Sequence, residues 1–222
     1  MKTNNKNEVI DKIKQSLAEE VVNSITHGLG ALLSMVGLIF MLIHTAGKND
    51  PLMIVSIIIY SATLIFMYLS STLYHSFQNE KVKRIFHIFD HAAIFLLIAG
   101  TYTPMALIFL RQHWGWTVFI IIWSMALLGA SFKIFFMGKL KKMSLVFYLS
   151  MGWFAVFSIK AIFETLPKEL IFWIFGGGFL YTVGLIFYGW KKLPFHHSIW
   201  HLFVLGGSTA HFIGIFRHLS IA

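Results

Sequence analysis

Seven of the eleven histidines in this 222-residue sequence fall in four short stretches, alongside a glutamate, a serine and an aspartate. In the last stretch, His197-x-x-x-His201 puts two imidazoles on one face of a helix, the arrangement in which a helix chelates a divalent transition-metal ion. Such a pair is weak evidence alone, because histidines at that spacing also arise by chance. Ser71-x-x-x-His75 adds a third imidazole with a hydroxyl one turn behind it. Three histidines that leave a fourth position open are the pattern of a catalytic rather than a structural zinc site. Asp90 is the acid placed clearly inside an apolar stretch. A carboxylate there is costly to bury without a cation or metal beside it, and near a metal-activated water it acts as general base or orients the nucleophile. The plainer reading is a wet helix-start carboxylate favoured by the helix dipole. His87 and His91 bracket Asp90 and stand either as hydrogen-bond partners of the ligands or as alternative ligands. His196 reads as an interfacial residue, and His211 and His218 as packing residues. With no cysteine in the chain, thiolate nucleophiles, thiolate ligands and disulfides are excluded.

These residues need elements that hold them at one depth. The chain is 57% hydrophobic and 12% charged, with a mean hydropathy of +0.74, more apolar surface than a soluble core of this size hides. Apolar stretches occur at about Ser24–His44, Leu52–Tyr74, Phe86–Phe109, Trp116–Phe136, Leu145–Phe163, Leu170–Trp190 and Ile199–Phe216, each long enough to cross a bilayer as a helix. The expected fold is an all-α integral membrane protein, a seven-transmembrane-helix bundle. It divides into an N-terminal arm (1–23), a transmembrane domain (24–217) and a short tail (218–222). The first stretch is too long for a signal-peptide core and is expected to stay as a helix. The short loops make successive helices antiparallel neighbours.

With the N-terminus inside, 13 of the 18 basic residues lie on the cytoplasmic side, leaving Lys48, Arg111, Lys160, Lys168 and Arg217 outside. Positive charge therefore selects that orientation, with an external C-terminus. The same excess explains the net charge of +9 without nucleic acid. Glu20, His27, Ser71, His75, His87, Asp90, His91, His196, His197 and His201 then all belong to the cytoplasmic leaflet, at the ends of four helices. A purely solvating role does not require that gathering. Elsewhere, Gly100-Thr101-Tyr102-Thr103-Pro104 is expected to loosen the third helix. The glycines at 176–178, 184, 206 and 207 are expected to permit close helix approach. The basic stretch Gly138–Met143 is a topology signal that can also meet anionic lipid.

Ser71-x-x-x-His75, Phe86-His87-Ile88-Phe89-Asp90-His91 running into Gly100-Thr101-Tyr102-Thr103-Pro104, Glu20-x-x-Asn23-x-x-Thr26-His27 and the closing His197-x-x-x-His201 together resemble the hemolysin III family. That family is the bacterial branch of the progestin and adiponectin receptor group, within a superfamily of membrane metal-dependent hydrolases. The resemblance spans essentially the whole chain. It implies a multi-pass protein of the bacterial plasma membrane with zinc held by His75, His197 and His201, and Asp90 reaching the metal through water. In the related receptors the site is associated with hydrolysis of lipid amides such as ceramide. Bacterial members are linked to membrane fluidity, and the family name to cytolysis. Two classes of function follow. One is a zinc-dependent lipid amide or ester hydrolase, with Asp90 and Ser71 catalytic and a lipid substrate entering from the inner leaflet. The other is a membrane-homeostasis or signalling protein in which zinc is structural. A pore is the weaker reading, because these helices are apolar outside one leaflet.

Overall fold

The computed structural model describes residues 16–135 and 141–220, of which 141–143 by their backbone alone. Most of the expected N-terminal arm, Lys139 and the last two residues of the tail lie outside these. The helices are α1 (Leu17–Thr45), α2 (Pro51–Ser76), α3 (Glu80–Pro104), α4 (Gly115–Phe135), α5 (Lys141–Gly152), α6 (Ile159–Thr165), α7 (Lys168–Gly189) and α8 (His196–His218). Among the described residues seven spans are long and apolar enough to cross a membrane, and α5 and α6 together form the fifth. The protein is an all-α, multi-pass membrane protein.

Where the helices begin is decided by capping groups that hydropathy does not register. α1 starts at Leu17, seven residues before the apolar run. Ser16 accepts from the Glu19 backbone N–H at 3.2 Å, and the Glu19 carboxylate accepts from the Ser16 N–H at 2.9 Å. This reciprocal capping box satisfies two of the donors that a helix start leaves unpaired. One consequence is that Glu20 belongs to a helix. α2 opens with Pro51 behind an Asp50 cap, and Asp50 also accepts from Arg111 at 2.8 Å. The guanidinium holds the Asp50 carboxyl below its ordinary range.

The Gly100–Pro104 stretch loosens the third span without breaking it. Pro104 ends the α-helical part of α3, and Met105–Phe109 follow as a π-helical turn closed by the Leu110 N–H donating to the Met105 carbonyl at 3.0 Å. Thr101 and Thr103 donate back to Leu97 and Ala99, and Trp123 of α4 donates to Thr103 at 3.0 Å. The fifth span does break, at a 3-10 turn over Phe154–Ser158.

The core forms two apolar groups. One is built around Tyr60, Leu64, Tyr68, Val204 and Ile215, and the other around Phe95, Ile122, Ala126 and Met151. α3 contributes to both, through Ala93 and Leu97 to the first and Ala92, Phe95 and Ala99 to the second. At the α7–α8 contact, a side chain at Gly177 or Gly184 would collide with His211 or Trp200, whereas Gly176 and Gly178 face open space. Antiparallel succession brings the start of α1, the end of α2, the start of α3, the end of α4 and the start of α8 to one end of the bundle.

Candidate metal centre

The last turn of α2 and the first turns of α8 meet at that end. His75, His197 and His201 each offer a ligand atom there, and the three atoms lie within 4.8 Å of one another. Their ring centroids are 5.2 Å (His75–His197), 5.1 Å (His75–His201) and 4.6 Å (His197–His201) apart. His75 and His201 are each 1% exposed, and His197 is partly buried. A tetrahedral ion with bonds of about 2.0–2.1 Å needs nitrogens roughly 3.4 Å apart, a modest imidazole rotation from this arrangement.

Hydrogen bonding tests whether these nitrogens suit a metal. His75 Nδ1 lies 2.7 Å from Glu20 Oε2, so a neutral ring donates there and leaves the Nε2 lone pair free. His75 Nε2, His197 Nε2 and His201 Nδ1 are buried and have no hydrogen-bond partner. Three orphaned buried acceptors in one place are costly, and a shared cation satisfies all three, so the residues fit a divalent ion. Glu20 itself is held 2.8 Å from Lys83 of α3. The Lys83–Glu20–His75 chain is the carboxylate–histidine support that orients metal-binding imidazoles.

The starts of α1 and α8 are locked together beside the trio. Phe195, immediately before α8, is held at φ 55° in the left-handed region, and its N–H donates to Glu19 Oε1 at 2.8 Å. One helical turn on, Ser198 donates to the buried Asn23 side chain at 2.6 Å. His27 of α1 stacks on His201 with centroids 3.5 Å apart and planes 7° apart, and both its nitrogens are buried without partners.

The other expected residues surround the trio. Ser71 is fully buried one turn before His75, and its hydroxyl makes no hydrogen bond of ordinary geometry. Asp90 approaches both Ser71 and His75, and its side chain is 13% exposed. His87 and His91 pack edge to face with centroids 4.4 Å apart, His87 stacks against Tyr74, and His91 Nδ1 lies 3.5 Å from Asp90 Oδ2. His91 donates through Nδ1 to the His87 carbonyl at 3.0 Å. His211 lies ten residues further along α8 from His201, with Nε2 donating to the Ile174 carbonyl at 2.9 Å. The position of Glu20, and the clamp made by Glu19 and Asn23, depend on partners 55 to 176 residues away; only the Glu20-x-x-Asn23 spacing hints at them.

His27, His197, His201 and Asp90 also line a cavity of about 560 Å³ that runs along the bundle past Leu97, Ile98 and Val204 to Leu110, Leu166 and Ile215. Its walls away from the histidines are chiefly aliphatic and aromatic.

Seven membrane-spanning helices with a buried histidine trio where α2 meets α8 define a membrane protein with a candidate metal centre. The chain belongs to the haemolysin-III related family, whose sequence profile matches residues 15–212. It is 46% identical over 205 residues to "Hemolysin-3" of Bacillus cereus, covering 92% of this chain and 94% of that protein. It is 48% identical over 197 residues to "Hemolysin-3 homolog" of Bacillus subtilis (strain 168), covering 89% and 92%. It is also 28% identical over 218 residues to the human "Monocyte to macrophage differentiation factor", covering 94% of this chain and 87% of that protein.

Proposed function

We propose that this protein is a zinc-dependent hydrolase of membrane lipids, cleaving an amide or ester bond at the histidine trio. The observation that supports it most is the convergence of three buried, unpartnered imidazole nitrogens at one end of a largely apolar cavity. A purely structural ion needs no cavity beside it. His75, His197 and His201 are the ligands, and an ion held there supplies Lewis acidity that polarises a carbonyl and makes water nucleophilic near neutral pH. Asp90 takes the proton that water gives up as its oxygen bonds to the acyl carbon. The carbon–nitrogen or carbon–oxygen bond then breaks, the amine or alcohol leaves with a proton returned from Asp90, and a carboxylic acid remains. Ser71 orients Asp90, and Glu20 fixes the His75 tautomer. The acyl chain lies in the apolar cavity, entering from the inner leaflet.

The second reading is a structural zinc in a membrane-homeostasis or signalling protein. It is favoured by the way the trio ties the end of α2 to the start of α8, with Glu20 adding α1. The two are separated by metal analysis of the purified protein together with turnover on a panel of lipid amides and esters. Release of free acid that stops on chelation and returns with zinc is expected. Bound zinc with no turnover across the panel supports the structural reading instead.

A further inference from the structure

Two turns beyond the trio, polar groups interrupt the apolar wall of the cavity. Ser208 of α8 accepts from the Tyr68 hydroxyl of α2 at 2.8 Å, and its Oγ lies 2.8 Å from the Tyr181 hydroxyl of α7. Three hydroxyl protons therefore share two hydrogen bonds. When Ser208 donates to Tyr181, the proton left over is that of Tyr181, which lines the cavity. Its ring sits 5.6 Å from that of His211, which lines the cavity beside it. His211 is 7% exposed, and its Nε2 donates to the Ile174 carbonyl. A neutral ring then leaves Nδ1 as an acceptor, and that atom is buried without a partner. A hydroxyl reaches it as the ring pivots on its Nε2 bond. Both rings are seated against glycines: a Cβ at Gly207 would lie 2.9 Å from the Tyr181 ring, and one at Gly177 would lie 2.4 Å from His211. Thr101, Tyr102 and Thr182, which line the same cavity, already donate to backbone carbonyls.

One donor and one acceptor, side by side, are the complement of a hydroxyl group, which both accepts and donates. A saturated chain filling the cavity leaves both without a partner, at the cost of burying unpaired polar groups. A ketone only accepts, so it would serve Tyr181 and leave His211 bare. Position along α8 sets the depth. Ser208 and His211 stand seven and ten residues beyond His201, about 10–15 Å at the helical rise. An extended carbon chain advances about 1.2 Å per bond, so that depth corresponds to about 9–12 carbons from an acyl carbonyl at the trio.

We infer that Tyr181 and His211 form a site for a hydroxyl group on the middle of a lipid acyl chain. Resting on the reading of the trio as a hydrolytic centre, this makes the substrate class an amide or ester of a mid-chain hydroxy fatty acid.

The test is equilibrium binding to the full-length protein in phosphatidylcholine nanodiscs, with intact probe quantified by mass spectrometry in the bound and free fractions. The probes are monoacylglycerols with stearoyl, 12-hydroxystearoyl, 12-oxostearoyl and 17-hydroxystearoyl chains. The 12-hydroxy probe is expected to bind about 5- to 10-fold tighter than the stearoyl probe, the scale of one or two neutral hydrogen bonds. The 12-oxo probe should gain less, because it has no proton for His211. The 17-hydroxy probe should gain nothing, because its hydroxyl falls among Leu110, Leu166 and Ile215 at the apolar end. Tyr181→Phe and His211→Leu should each cut the 12-hydroxy preference to about 2-fold or less. Tyr181→Phe keeps the ring against Gly207, so it keeps the test open should the His211 variant fold poorly. Equal affinity for the 12-hydroxy and stearoyl probes would overturn the inference, as would a preference that survives Tyr181→Phe. Equal gain from the 17-hydroxy or 12-oxo probe would also overturn it, because the gain would then come from added polarity and not from this pair. Because binding is read without turnover, a 12-hydroxy probe that binds with the expected preference and is never cleaved counts against the hydrolase reading alone. Cleavage of all four probes with no preference in binding counts against the hydroxyl site alone.

Discussion

Replacing Glu20 by Gln keeps the shape of the α1 side chain but removes the charge that holds His75 Nδ1 at 2.7 Å and Lys83 at 2.8 Å. Loss of such a partner weakens metal affinity by about 10- to 100-fold. Zinc affinity measured by competition with a chelator should fall by that amount, with the protein still folded; an unchanged affinity would leave Glu20 as a helix-packing residue. Asp90 is expected to behave differently, because it approaches the trio without belonging to it. Asp90→Asn should retain zinc and slow lipid hydrolysis by about 10²- to 10⁴-fold, the usual contribution of a general base. Full turnover in that variant would remove Asp90 from the chemistry. The sequence made the His197–His201 pair and the Ser71–His75 pair readable, because each is a spacing within one helix. It could not assign Glu20 or choose between helper and ligand for His87 and His91, because those roles depend on which side chains meet across helices.

At the scale of elements, the seven apolar stretches were readable as spans because hydropathy integrates over about 20 residues. Their edges were not. α1 begins at Leu17 because of a capping box, and the fifth span breaks at Phe154–Ser158 within an unbroken apolar run. The start of α8 depends on α1 in a way no local pattern reveals. The Glu19 carboxylate caps its own helix with one oxygen and accepts from Phe195 N–H with the other, holding a non-glycine residue in a left-handed conformation just ahead of His197. Glu19→Ala removes a cap and that clamp together and should lower stability by about 1–2 kcal/mol, read as a drop in melting temperature in detergent. Because α8 carries two of the trio, bound zinc should fall at the same time. A normal melt with normal zinc would show that the α8 start holds its conformation without Glu19.

For the whole molecule, the distribution of charge predicts an orientation. Lys83, Lys133 and Lys191 share the bundle end with the trio, and the charge distribution predicts a cytoplasmic N-terminus, which would place that end in the cytoplasm. A cysteine introduced at Asn5 should be protected from an impermeant thiol reagent in intact cells, and one at Ala222 should react. The reverse pattern would put the metal centre outside. The proposal as a whole depends most on whether His75, His197 and His201 hold the ion, and elemental analysis of purified protein tests that most directly. Wild type and His113→Ala, altered in an exposed loop at the opposite end, are expected to carry roughly one zinc per chain. His75→Ala, His197→Ala and His201→Ala should each lose most of it, and His91→Ala should keep it. Zinc at the wild-type level in His201→Ala together with its loss in His91→Ala would contradict the assignment and give the third donor to α3.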